Sequence, residues 1–123
     1  MAIILDHTIV PSRDKEASAR FFAQMMGLTY EGLNGHFAPV QVNDSLTFDF
    51  DNRDSFERHH YAFYISDEEF DAILARVKDA GRTFGSGPMT PADGRINTRR
   101  GGRGFYFADL DGHLLEVMTR PEK

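Results

Sequence analysis

Two helix signatures, whose caps Asp14 and Ser66 stand 52 residues apart, occupy equivalent places in one repeated succession of strand-like runs. Asp14 follows Pro11-Ser-Arg as an N-cap; Ala17, Phe21 and Met25 recur at i+4, and Gly27 supplies the stop. Ser66 and Glu69 form a capping-box pattern, with Asp67 and Glu68 in the first turn. Phe70, Ile73, Leu74, Val77 and Ala80 mark that helix's apolar face, and Gly81 ends it. A short apolar run precedes each helix, Ile3–Val10 and His60–Ile65. After the first helix come Leu28–Leu33, His36–Val42 and Leu46–Phe50; after the second come Thr83–Phe84, Gly104–Ala108 and His113–Thr119. The order βαβββ therefore occurs twice, at about 1–54 and 55–123, within one domain spanning 1–123. The spacing agrees: 20 residues separate His7 from Gly27, and 21 separate His60 from Gly81. The expected fold is α+β, two tandem modules whose mixed sheets curve around a pocket.

Composition narrows what such a chain does. A net charge of -5 and a pI near 5.4 argue against phosphate-backbone binding. With no cysteine there is no disulfide, thiolate metal site or cysteine nucleophile, which fits a reducing compartment. MAIILDHTIV lacks a basic n-region, and no apolar run reaches the roughly 18 residues of a membrane span, so a cytoplasmic protein is expected.

Parity along the strands decides which side chains meet. Phe48, Phe50, Phe105, Phe107, Leu115 and Val117 fall on one side and form a natural floor for the helices. The opposite side carries one polar residue from each of four strands: His7, Asp49, His60 and Glu116. Tyr64 shares the His60 face, and Tyr106 lies on the face that strand pairing gives to Glu116. A carboxylate within Leu-Leu-Glu-Val-Met is costly if buried unpaired, and a metal held with two imidazoles would balance it. Alternation sends His59 away from His60. His113 lies in an Asp-Gly-His turn and is expected to be exposed, while His36 has no clear assignment. Residues 85–102 form one long irregular segment, and Arg95, Arg99, Arg100 and Arg103 crowd its end. Such a cluster either recruits an anionic substrate or is a solvated loop.

LDHTIV, DKEASARFFAQMMGL, HHYAFYI and FYFADLDGHLLEV, set in the repeated βαβββ, resemble the vicinal oxygen chelate superfamily. It includes glyoxalase I, extradiol dioxygenases, fosfomycin-resistance enzymes and bleomycin-resistance proteins. The resemblance implies His7, His60 and Glu116 as ligands of a divalent metal (Fe, Mn, Zn or Ni), with positions open for a small substrate chelating through neighbouring oxygens. Asp49 falls where glyoxalase I has a further glutamate ligand, and is either a ligand or base or a solvated acid. Glu116, Tyr106 and Asp49 are the candidate catalytic groups; Tyr64, Tyr106 and Arg100 are the candidate substrate contacts. The resemblance also implies a homodimer in which His7 (with Asp49) comes from one subunit and His60 with Glu116 from the other.

Two readings follow. One is a metal-dependent lyase, isomerase or dioxygenase; the other is a metal-free sequestration protein of the bleomycin-resistance kind. Fosfomycin is disfavoured as a substrate, because Ile9, Ile96 and Arg100 stand where the thiol-transferase members carry threonine, lysine and serine.

Overall fold

The computed structural model describes residues 3–122. The chain divides into two compact units, one up to Glu57 and one from Arg58 onward. The first contains β1 (His7–Ser12), α1 (Lys15–Met26), β2 (Ala38–Gln41) and β3 (Thr47–Asn52). The second contains β4 (His60–Tyr64), α2 (Asp67–Asp79), a 3₁₀ turn at Arg99–Gly101, β5 (Gly104–Ala108) and β6 (Leu114–Met118). Strand order is β1-β3-β2 in one and β4-β6-β5 in the other. In each sheet the first strand runs parallel to the central one, and the remaining strand runs antiparallel to it.

The repeat is real, but each unit is βαββ. The second expected strand of each module survives only as a bridge, Tyr30 to Val40 and Gly85 to Tyr106. The first of these segments contains Gly32 at φ 104, outside the φ range of a regular strand. The second, Thr83–Phe84, runs directly into Gly85, where an added Cβ would sit 1.9 Å from the Thr90 carbonyl oxygen. β1 also begins at His7, leaving Ile3, Ile4 and Leu5 exposed outside it.

Both helix starts form as the cap residues dictate. The Asp14 carboxylate accepts from the Ala17 N–H, and Gly27 closes α1 at φ 73. Ser66 and Glu69 form the reciprocal capping box of α2. The buried face of α1 differs from the expected one: Ser18, Ala19, Phe22, Ala23 and Met25 are buried, whereas Ala17 and Phe21 are half-buried. The i+4 series through Phe21 lies about one position off the line facing the sheet, and Phe22 stacks on Phe48 at 5.1 Å. In α2, Phe70, Ile73 and Val77 are buried, Leu74 is half-buried, and Ala80 is the exposed C-cap.

The aromatic floor is as parity requires. Phe48 and Phe50 are buried in the first unit, and Phe105, Phe107, Leu115 and Val117 in the second. Phe70 of α2 meets Phe105 edge-on at 5.3 Å. Each such ring contributes about 1.5–3 kcal/mol on burial, which leaves the opposite sheet faces free to carry polar groups.

Candidate active site

β6 is the central strand of its sheet, and its neighbours fix what stands beside Glu116. Ala62 and Tyr106 are both in register with Glu116, and His60 with Leu114. His60, Tyr64, Tyr106, Glu116 and Met118 therefore share one face. Glu116 is buried, and its Oε1 lies 2.9 Å from Nε2 of the half-exposed His60. These residues line a cleft of about 480 Å³ together with Ala62, Arg99, Arg100, Pro121 and Glu122. One of the two expected imidazoles, His60, stands beside Glu116, and both donor atoms reach the same space.

The other wall comes from the segment before β5. It is pinned at several points: Asp93 accepts from the Ser86 hydroxyl, the Ser86 N–H and the Arg95 N–H. Asn97 exchanges two backbone bonds with Gly104, and its amide donates to the Ser86 carbonyl. The arginines separate by role. Arg103 is bound to Asp67 and Asp71 and lies over the Phe70 ring at 4.3 Å, so it secures the start of α2. Arg95 is exposed. Arg99 donates from Nη1 to the Tyr106 hydroxyl oxygen at 2.6 Å, a contact the sequence did not single out. Arg100 lines the cleft at φ 56, the sole non-glycine residue with positive φ among the described residues. Burial pushes the Tyr106 phenol above its ordinary value; the Arg99 hydrogen bond opposes this, and the Glu116 carboxylate in register beside it adds to it.

The first unit carries a second histidine–carboxylate pair in the same register. On β1 and β3, His7 pairs with Thr47 and Ile9 with Asp49, so Asp49 stands to His7 as Glu116 stands to His60. Asp49 is half-buried and borders a cleft of about 410 Å³ with Thr47, Gln41, Pro39 and Glu31. Here the imidazole pairs with another acid: His7 Nδ1 meets Asp6 Oδ2 at 2.8 Å, which raises the His7 pKa. Among the described residues, no three His, Asp or Glu side chains of one chain are gathered closely enough to hold a metal ion.

The remaining histidines do other work. His113, expected to be exposed, is fully buried, and its Nδ1 accepts from the His59 N–H at 2.9 Å. The turn folds it inward because Asp109 Oδ1 accepts from both the Asp111 and His113 N–H groups. His59 is exposed and meets the Tyr61 hydroxyl at 2.7 Å. His36 pairs with Asp51, which Arg53 also holds.

Residues 4–117 match the model of the Glyoxalase/Bleomycin resistance protein/Dioxygenase superfamily. The chain belongs to this superfamily. Two solved structures, the oxidases ChaP-H2 and ChaP-H1, are 43% and 42% identical with TM-scores of 0.93 and 0.91. Each comparison covers 98% of this chain, with 96% and 98% of the oxidase chains. The glutathione transferase FosA of Serratia marcescens is 26% identical over 120 residues, 92% of this chain and 78% of that one. The metallothiol transferase FosB of Shouchella clausii matches 60 residues at 38% identity, covering 37% of its own length.

The donor set fits a divalent cation. Ligands at about 2.1 Å and roughly right angles stand about 3 Å apart, close to the His60–Glu116 separation. Imidazole nitrogen with carboxylate oxygen suits Fe, Mn, Zn or Ni.

Proposed function

We propose that this protein is a divalent-metal-dependent enzyme that oxidises a small molecule chelated through two neighbouring oxygens. We further propose that it works as a homodimer, with His7 (and Asp49) from one subunit completing a site with His60 and Glu116 from the other. The carrying observation is the His60–Glu116 pair, 2.9 Å apart on the floor of a cleft walled by Tyr106 and two arginines. The near full-length likeness to the ChaP-H2 oxidase supports oxidation over isomerisation. Two histidines and one carboxylate leave positions open for substrate and oxygen, the arrangement of non-haem iron oxygenases.

When bound, the metal supplies Lewis-acid charge that stabilises the anion of the chelated substrate. The chain's own residues do the rest. Glu116 lends negative charge, and Tyr106, in register beside it, keeps its hydroxyl hydrogen for that carboxylate because Arg99 can only donate to its oxygen. Arg100 faces an anionic group of the substrate, and Tyr64 and Met118 wall its apolar part. Asp49 takes the proton that a hydroxyl loses on chelation.

Thiol transfer of the FosA kind has less support, given 26% identity and the departures at Ile9, Ile96 and Arg100. The test strips the protein with chelator, reloads it with Fe(II), Mn(II), Zn(II) or Ni(II), and measures metal content and oxygen uptake. Catechols, hemithioacetals and fosfomycin with glutathione are the trial substrates. Stoichiometric metal, lost in Glu116→Ala, with oxygen uptake on catechols is expected. Isomerisation of hemithioacetals without oxygen uptake would replace oxidation by a glyoxalase reaction. Sub-stoichiometric metal unchanged in Glu116→Ala would leave a sequestration protein.

A further inference from the structure

Adjacent arginines at the cleft differ in what their guanidinium groups already do. The Arg99 group is committed to the protein: Nη1 donates to Tyr106 at 2.6 Å, Nη2 approaches the Ser86 carbonyl at 3.5 Å, and the group lies 5.5 Å from the Tyr106 ring centroid. The loop is shaped for it. An added Cβ on Gly87 would come within 3.3 Å of Arg99 Nη2. The Arg99 N–H bonds Asn97 Oδ1, which itself would lie 2.9 Å from a Cβ on Gly104. Among the described residues Arg100 has no such commitments, and it lines the same cleft from a left-handed backbone.

We propose that Arg99 is a positioning residue for the metal site: it fixes Tyr106, and Tyr106 fixes the Glu116 carboxylate. This rests on the reading of Glu116 as a ligand. A guanidinium has no acceptor, so the Tyr106 oxygen accepts from Arg99 and its single hydrogen is left for Glu116. Glu116 stands in register with Tyr106 on β5 and bonds His60 on β4, so these two neighbours flank its carboxylate. Outer partners of this kind are worth about 10–100-fold in metal affinity.

The sign of the effect separates positioning from simple charge. Arg99 is exposed, and a cation near a metal site opposes the metal, though weakly in water. Were charge its whole contribution, Arg99→Ala would tighten metal binding; positioning requires the opposite. The experiment titrates Mn(II) into chelator-stripped protein and reads free Mn(II) by electron paramagnetic resonance. Wild type, Arg99→Ala, Arg99→Lys, Tyr106→Phe and the Arg99→Ala/Tyr106→Phe double variant are compared. Expected are a loss of about 10-fold in Arg99→Ala, a similar loss in Tyr106→Phe, and no further loss in the double variant. Arg99→Lys, which keeps a donor, recovers part of the affinity. Equal or tighter binding in Arg99→Ala, or additive losses in the double variant, overturns the role of Arg99 while the metal site stands. No Mn(II) binding by wild type overturns the metal reading and this role with it.

Discussion

His60 and Glu116 meet across parallel neighbouring strands, Nε2 to Oε1 at 2.9 Å, with the acid buried and the imidazole half-exposed. His7 and Asp49 stand in the same register on β1 and β3 but do not close the same bond. The repeat thus presents its histidine–carboxylate device twice, and the metal reading gives both copies a use.

Metal should stabilise the fold by mass action. At free metal 100 times its dissociation constant the gain is about 2.7 kcal/mol. Differential scanning fluorimetry with and without chelator should show a rise in Tm for wild type and none for Glu116→Ala. An unmoved wild-type Tm would count against the site.

Arg100 holds a left-handed backbone that costs a non-glycine residue about 1–2 kcal/mol. Arg100→Gly is expected to raise stability by up to about that amount while weakening binding of an anionic substrate about 10-fold or more. Urea unfolding and KM measure the two. A variant that is less stable yet binds equally well would contradict the assignment.

The loop carrying both arginines depends on an ionised Asp93. Its hydrogen bond from the Ser86 hydroxyl outweighs burial and, with the Arg95 and Ser86 N–H groups, holds the carboxyl below its ordinary value. The contribution is therefore present above the unfolded pKa and lost as pH falls through the folded one. Asp93→Asn should increase amide exchange across residues 86–97 at pH 7, and the difference from wild type should close as the pH falls below the carboxylate range. A difference that persists in acid would show that Asp93 acts otherwise.

His113 closes the start of β4 next to His60, through the His59 N–H. His113→Phe keeps a flat ring at the site but leaves that N–H without its acceptor, at a cost of about 1–3 kcal/mol. Urea denaturation should show it, with metal affinity falling as well because His60 is the next residue. Undiminished stability and affinity would place His113 outside the positioning of the site.

The repeat, both helix caps and the aromatic floor could be read from the sequence, because each is local or periodic. Ser66-x-x-Glu69 needs no distant partner, and Phe105, Phe107, Leu115 and Val117 follow from alternation alone. His60, Tyr106 and Glu116 were likewise placed on one face by counting. What escaped depended on chain geometry. Phe22 rather than Phe21 faces the sheet because of a rotation of about one residue that the i+4 count does not resolve. His113 looked solvated because a turn gives no sign of folding inward around Asp109. Arg99 was one of four arginines, and only the pinned loop distinguishes it from Arg100 and Arg103.

The proposed sharing of the site between subunits is tested most directly by subunit complementation. His7→Ala and Glu116→Ala are prepared separately, each expected to bind no metal, then mixed under conditions that allow subunits to exchange. In a two-fold dimer with shared sites, each mixed dimer regains one complete site. Metal binding should then return to about one quarter of the wild-type capacity, since about half of the dimers are mixed. No recovery on mixing, with dimers shown to have exchanged, would contradict a site built from His7 of one subunit and His60 with Glu116 of the other.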